Sequence, residues 1–328
     1  MNNVLLEVKD LETSLKINNE WLATVENISF ELSKGEVLGI VGESGCGKSI
    51  LSKSIIKLLP EKISKLSNGE VIFDGKRIDT LNEKQLLDIR GNDIAMIFQE
   101  PMTALNPVFT IKNQLVESIK SHKKISKKEA NKLAKDLLKK VGIARQDEIL
   151  NSYPHQLSGG MRQRVMIAMA ISCSPKLLIA DEPTTALDVT IQAQILDLLK
   201  ELQKETQMAI MMITHDLSVV AEFCDKVLVM YAGQIVEFGG IKEILHNPKH
   251  PYTQKLLSTI PKLKEEQKRL EMIEGIVPSI QAFHVNKCRF ANRCNKKLDI
   301  CNNQSPKMHV CEDVIVRCHL YKNEYKEI

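Results

Sequence analysis

One turn constrains this chain more than any other stretch: Gly42-Glu43-Ser44-Gly45-Cys46-Gly47-Lys48-Ser49. It follows the apolar run Val37-Leu38-Gly39-Ile40-Val41, which predicts a buried strand. It precedes Ile50-Leu51-Ser52-Lys53-Ser54-Ile55-Ile56, which predicts a helix. Strand, glycine-rich turn and helix are the context in which G-x-x-x-x-G-K-S/T binds phosphate. Glycines let the loop wrap so that successive backbone N–H groups point into one anion-sized concavity. The helix start adds unpaired N–H groups and the positive end of its dipole. Lys48 then reaches the β- and γ-phosphates and the Ser49 hydroxyl ligates Mg²⁺. Gly42, Ser44, Gly45, Cys46, Gly47 and Ile50 complete the expected phosphate-binding set. A glycine turn beside a surface lysine is the plainer reading, and both flanks weigh against it.

A phosphate loop needs carboxylates elsewhere. The buried-strand run Leu177-Leu178-Ile179-Ala180-Asp181 ends in one and is followed by another, Glu182. Asp181 is expected to hold Mg²⁺ beside Ser49, and Glu182 to align and deprotonate the attacking water. A second anion site is expected where Ser158-Gly159-Gly160 opens the helix carrying Val165 to Ile171. Within one fold it lies too far from the first loop to share its nucleotide, so it calls for a partner subunit.

The rest of the chain sets limits. At 328 residues, 43% apolar and 26% charged, it has room for a large domain, a smaller one and a sizeable core. Its longest apolar runs, near residues 209–213 and 227–230, are too short to cross a bilayer. The N-terminus has neither a basic start nor an apolar core, so no signal peptide is expected and a cytoplasmic location is. A net charge of +4 does not by itself argue for nucleic acid. Short strands are expected over residues 4–8 and 23–32, and a hairpin at Asp74-Gly75 after a strand over 69–73. Residues 112–142 read as a helix with a solvated lysine face, and 191–202 as another helix. Residues 262–269 read as a charged linker, and the domain boundary is expected near residue 240.

Together these motifs resemble the ATP-binding-cassette (ABC) ATPases over residues 1–240, with residues 241–328 as a C-terminal extension. The resemblance implies an α/β fold of the P-loop NTPase class. It has a mixed sheet, an antiparallel β subdomain and an inserted helical subdomain over about residues 100–170. It also implies ATP and Mg²⁺ as cofactors, and roles residue by residue. Gln99 contacts Mg²⁺ and water, Ser158, Gly159 and Gly160 close over the partner's ATP, and Ala186-Leu187-Asp188 crosses the dimer interface. His215, after the apolar strand 209–213, holds the γ-phosphate and the base. Relatives carry an adenine-stacking aromatic near position 15, where this chain has Thr13-Ser14-Leu15-Lys16; Trp21 and Leu15 are the substitutes weighed.

Gln99-Glu100-Pro101-Met102-Thr103-Ala104-Leu105-Asn106-Pro107 and His246-Asn247-Pro248-Lys249-His250-Pro251-Tyr252-Thr253 are similar to the ATPase subunits of dipeptide and oligopeptide importers, with nickel importers close behind. The same family's tail is similar to Gly275-Ile276-Val277-Pro278-Ser279 and the cysteines after it, where Cys288, Cys294, Cys301 and Cys318 correspond to ligands of a 4Fe–4S cluster. Zinc and unliganded thiols are the alternatives, and Cys311 is left over. The implied assembly has a second, homologous ATPase subunit (a homodimer remaining open), two membrane permeases and an extracytoplasmic substrate-binding protein. It places this chain on the cytoplasmic face of the membrane. The competing class is an ABC-type ATPase acting on nucleic acid. About sixty residues between Gln99 and Ser158 leave no space for a DNA-binding insertion, so no nucleic-acid partner is expected. A tail that senses redox state or iron is a third reading.

Overall fold

The computed structural model describes residues 3–99, 104–185, 187–259, 273–284, 286–322 and 325–327. Residues 100–103 of the importer-like motif, Ala186 and the charged stretch 262–269 lie outside the described residues. The strands are β1 (Val4–Ile17), β2 (Glu20–Ser33), β3 (Val37–Val41), β4 (Ser64–Phe73), β5 (Lys76–Arg77), β6 (Ile94–Ile97), β7 (Leu177–Asp181), β8 (Ala209–Ile213), β9 (Lys226–Tyr231), β10 (Gln234–Gly240), β11 (Met308–Cys311), β12 (Val314–Arg317) and β13 (Lys326–Glu327). The helices are α1 (Lys48–Ile55), α2 (Glu83–Ile89), α3 (Ile111–His122), α4 (Lys127–Lys140), α5 (Gln146–Asn151), α6 (Gly159–Ala170), α7 (Val189–Thr206), α8 (Leu217–Phe223), α9 (Ile241–His246) and α10 (Pro251–Ser258).

The chain forms two compact units, and the first takes Met1–Leu32, Val37–Asp79 and Met212–Ile328. Its antiparallel sheet has the order β2-β1-β4-β5. The short strand expected over residues 4–8 is the start of a 14-residue β1, because a bulge at Asp10 shifts the β1–β4 register between Lys9 and Glu12 and resets the alternation. Asn18 and Asn19, at φ 49° and 68°, supply the left-handed turn that joins β1 to β2. The Asp74-Gly75 hairpin forms as expected, pairing Phe73 with Lys76. Every residue of β3 is buried; β3 pairs in parallel with β9, which turns back through Ala232-Gly233 into β10. The C-terminal strands then add outward, β12 on β10, β11 on β12 and β13 on β11. The tail therefore gains its backbone partners by extending an existing edge, which suits a segment with few apolar residues of its own.

The second unit takes Ser33–Glu36 and Thr80–Met211. Parallel strands β6 and β7 run side by side, Ile94 opposite Leu177 and Ile97 opposite Ala180. The basic stretch expected to be one helix over 112–142 is two, α3 and α4. Ser126 Oγ accepts the Glu129 N–H at 3.2 Å and Glu129 accepts the Ser126 N–H at 2.8 Å, a capping box that starts a new helix. Helix α4 buries Ala130, Ala134, Leu137 and Leu138 and turns its lysines to solvent; each buried leucine contributes about 2 kcal/mol. Arg164 on α6 donates to the Val141 carbonyl at 2.6 Å and to Gln194 on α7 at 3.2 Å, so the helix behind Ser158 is pinned at two points. Among the described residues no helix is long and apolar enough to cross a membrane.

Candidate nucleotide site

The loop between β3 and α1 is built around close backbone approach. A Cβ at Gly42 would overlap the Met230 carbonyl oxygen of β9, so no other residue fits there without moving that strand. Helix α1 begins at Gly47 with no side-chain cap, leaving its first amides for an anion. Lys48 lies across the loop: Nζ donates to the Gly42 carbonyl at 2.6 Å and to the Glu43 carbonyl at 3.1 Å. The side chain is only 6% exposed, which places its charge inside the loop's concavity. Cys46 fills the space beneath, and burial pushes its thiol up, so it is a neutral packing group. Ser49 is the second residue of α1. His215 is exposed immediately after β8, and Asp216 beside it caps α8 by accepting the Ser218 N–H at 2.8 Å.

The second unit carries the carboxylates. Asp181 is buried at the end of β7. Glu182 follows at φ 48°, a left-handed conformation that costs a non-glycine residue about 1–3 kcal/mol and is stored where function needs it. Its Oε2 accepts from Gln99 Nε2 at 3.0 Å and from Thr185 Oγ1 at 2.7 Å. Two neutral donors thus fix the carboxylate's orientation. Ser158 caps α6, accepting the Met161 N–H at 3.3 Å. A Cβ at Gly160 would sit 2.8 Å from Ile191 Cγ2, so glycine at this position lets α6 approach α7. Asp188 caps α7, accepting the Ile191 N–H at 2.9 Å.

The C-terminal residues brace the phosphate loop. Glu237 of β10 accepts the N–H groups of Lys249 (2.5 Å) and His250 (3.0 Å), and His250 Nδ1 accepts the Tyr252 N–H at 3.0 Å. Burial drives the His250 pKa down to about 3, so the ring stays neutral and can accept. Tyr252 is thereby set beneath the loop, where its hydroxyl accepts the Glu43 N–H at 2.9 Å. It packs against Tyr231 and Phe290 at 4.8 and 5.4 Å between ring centroids. From the cysteine segment, Arg293 clamps the Glu43 carboxylate with bonds of 2.7 and 2.9 Å. Arg289 donates to the Ala232 carbonyl at 2.6 Å and pairs with Glu26.

Among the described residues no group of three or more His, Cys, Asp or Glu side chains is arranged to hold a metal ion. The tail thiols nonetheless share one neighbourhood. Burial, then neighbouring sulfurs, pushes Cys288 up to about 11 and Cys318 up to about 12, and raises Cys294. Backbone N–H groups two residues on, from Phe290, Lys296 and Leu320, donate to the sulfurs of Cys288, Cys294 and Cys318. Cys301 is buried, and its carbonyl accepts the Cys288 N–H at 3.0 Å.

Residues 25–185 match the family described as ABC transporter, and residues 236–301 the oligopeptide/dipeptide transporter C-terminal region. The oligopeptide transport ATP-binding protein AppD of Bacillus subtilis is 48% identical over 326 residues, covering 99% of each chain. This chain belongs to the ABC transporter ATP-binding proteins. The probable peptide ABC transporter ATP-binding protein y4tR of Sinorhizobium fredii is 49% identical over 305 residues, 93% of this chain and 91% of that protein. Among solved structures, the dimeric ATP-binding cassette MJ0796 in a post-hydrolysis state with ADP and Pi is 29% identical. It matches 72% of this chain and 99% of its own, with a TM-score of 0.65.

In this ABC cassette, Gln99, Asp181 and Glu182 gather at the ends of β6 and β7, and Ser158 to Gly160 sit against the helix that Asp188 caps. Gly42 to Ser49 and His215 belong to the other unit. Trp21 lies exposed at the start of β2 with the Lys65 ammonium 4.7 Å from its ring centroid, while Thr13 and Ser14 are buried. Sequence reasoning missed Thr185, Tyr252, Arg289 and Arg293. Tyr252 carried a signal in the importer-like stretch 246–253, as did Arg289 and Arg293 in the importer-like tail segment 288–294.

Proposed function

We propose that this chain is the ATP-hydrolysing subunit of an importer of di- and oligopeptides, acting at the cytoplasmic face of the membrane. The observation that carries the reading is the oriented Glu182 carboxylate, held by Gln99 and Thr185 in a chain matching peptide-transport ATP-binding proteins end to end. In this reading residues 1–240 form the cassette. The loop amides from Gly42 to Ile50 and Lys48 grip the phosphates, and Glu182 takes the proton of a water aligned with the γ-phosphorus. Ser49, Gln99 and Asp181 would hold Mg²⁺, which offsets phosphate charge. His215 steadies the γ-phosphate, and Ser158, Gly159, Gly160 and Asp188 complete the ATP site of a second, homologous ATPase subunit. Closing and reopening of that pair works two permease subunits fed by a peptide-binding protein. ATPase activity is expected to rise severalfold on reconstitution with the permeases and peptide-loaded binding protein; stimulation by DNA instead would overturn this reading.

The tail is read as a 4Fe–4S site on Cys288, Cys294, Cys301 and Cys318. The likeness of the tail to the peptide-importer ATPases supports this reading, and the sulfurs lie near enough to raise one another's pKa; among the described residues they are not drawn together as a ligand set. Bound there, a cluster would cross-link a segment too small to hold itself together. Anaerobically purified protein is expected to be brown, with iron and sulfide in equal amounts. Cys301→Ser should lose both and Cys311→Ser keep them; stoichiometric zinc in colourless protein would reverse the assignment.

A further inference from the structure

The first unit contains a cavity of about 660 Å³ that the nucleotide site does not use, within the size range of small-molecule pockets. Arg317 of β12 lines it, with Phe238 of β10, Ile315, Phe30 of β2 and the carboxylates of Asp10 and Glu31. Arg317 is 8% exposed; its Nε donates to the Ile235 carbonyl at 3.0 Å and its Nη2 to the Asn27 carbonyl at 3.4 Å. Among the described residues no carboxylate forms an ion pair with it, because nearby Glu26 is paired with Arg289. Two carbonyls satisfy a minority of a guanidinium's five donors, and its nearby counter-charge, Glu26, is shared with Arg289. Burial accordingly pushes its pKa down to about 10.

Of the lysines in the wall, Lys9 pairs with Glu7, also of the wall, at 2.8 Å and Lys307 with Glu327 at 2.5 Å, and Lys226 completes the set. Asp10 and Asn27 both hold left-handed backbone, at φ 44° and 51°, and Asp10 is the bulge of β1. Bulges and such conformations concentrate where a fold re-aims groups at a ligand. The wall thus sets the buried Arg317 and the Lys9, Lys226 and Lys307 ammoniums with the Glu7, Asp10 and Glu31 carboxylates beside an apolar patch, a lining suited to a zwitterion with an apolar side chain.

We propose that this cavity binds a short peptide, its carboxylate on Arg317, its ammonium on Asp10 and Glu31, and its side chain among Phe30, Phe238 and Ile315. A route to the phosphate loop exists: the Glu26 N–H, beside Asn27, donates to the Gly233 carbonyl, and the Gly233 N–H donates to the Cys46 carbonyl, both at 2.9 Å. Peptide in the cavity therefore bears on nucleotide affinity; that consequence rests on the proposed ATPase role, whereas binding does not.

Calorimetric titration of the full chain with alanyl-phenylalanine, with Mg-ATP titrated in parallel, tests the site. Saturable binding is expected. The dipeptide's C-terminal amide, its N-acetyl form and the Arg317→Met variant should each bind roughly tenfold or more weakly. Because Arg317→Met risks the packing of β12, Asp10→Asn on the surface provides a second reading, weakening the free dipeptide but not its N-acetyl form. Protein that binds Mg-ATP normally and no dipeptide overturns the site and leaves the ATPase reading standing. Protein that binds dipeptide but no Mg-ATP does the reverse. Dipeptide affinity indifferent to amidation and to Asp10→Asn also overturns the proposal.

Discussion

Glu182→Gln is expected to keep Mg-ATP bound while slowing turnover by roughly two or more orders of magnitude. The amide is the same size as the carboxylate, and its oxygen still accepts from Gln99 and Thr185, which now hold Glu182 at 3.0 and 2.7 Å. Glutamine also tolerates the φ of 48° no worse than glutamate. Geometry is therefore conserved and basicity is lost, so a fall in kcat with nucleotide affinity intact isolates proton transfer and water alignment. Thr185→Val supplies the complementary case: it keeps the base and removes one of the two donors orienting it, so a smaller loss is expected. Single-turnover hydrolysis and equilibrium nucleotide binding on the same preparations check both. Turnover near normal in Glu182→Gln would remove Glu182 from the chemistry.

What was legible beforehand was local. The phosphate loop, the strand ending at Asp181 and the cap at Ser158 each state their geometry within about ten consecutive residues, because strand burial and helix capping are short-range physics. The break in the lysine-rich stretch is also local: Ser126-Lys127-Lys128-Glu129 is a capping box that starts a second helix inside one continuous lysine pattern. Strand β1 was cut short because a bulge at Asp10 breaks the alternation that marks a strand. The brace under the phosphate loop is of another kind. Glu43 meets Tyr252 across 209 residues and Arg293 across 250, and no periodicity in one chain encodes such a pairing.

The second large effect is expected at Arg293, whose side chain is 6% exposed against 26% for its partner Glu43. Its two terminal nitrogens grip the two carboxylate oxygens, and Nε donates to the Glu274 carbonyl at 2.8 Å. The guanidinium also lies 5.7 Å from the Tyr231 ring centroid. Bonding to Glu43 holds the Arg293 pKa above its usual value, so the guanidinium stays charged. Arg293→Ala strips the counter-charge from a carboxylate inside the phosphate loop and should destabilise the fold by about 2–4 kcal/mol. It should also weaken Mg-ATP binding roughly tenfold or more, since the released Glu43 charge then faces a polyanion. Arg293→Lys retains charge without the fork and is expected to recover only part of the affinity. The decisive comparison is the double variant Glu43→Gln with Arg293→Ala: if repulsion drives the loss, removing the carboxylate restores affinity without restoring the melting temperature. A purely structural brace predicts the opposite, because the double variant has lost the same contacts and would bind nucleotide as poorly as Arg293→Ala alone.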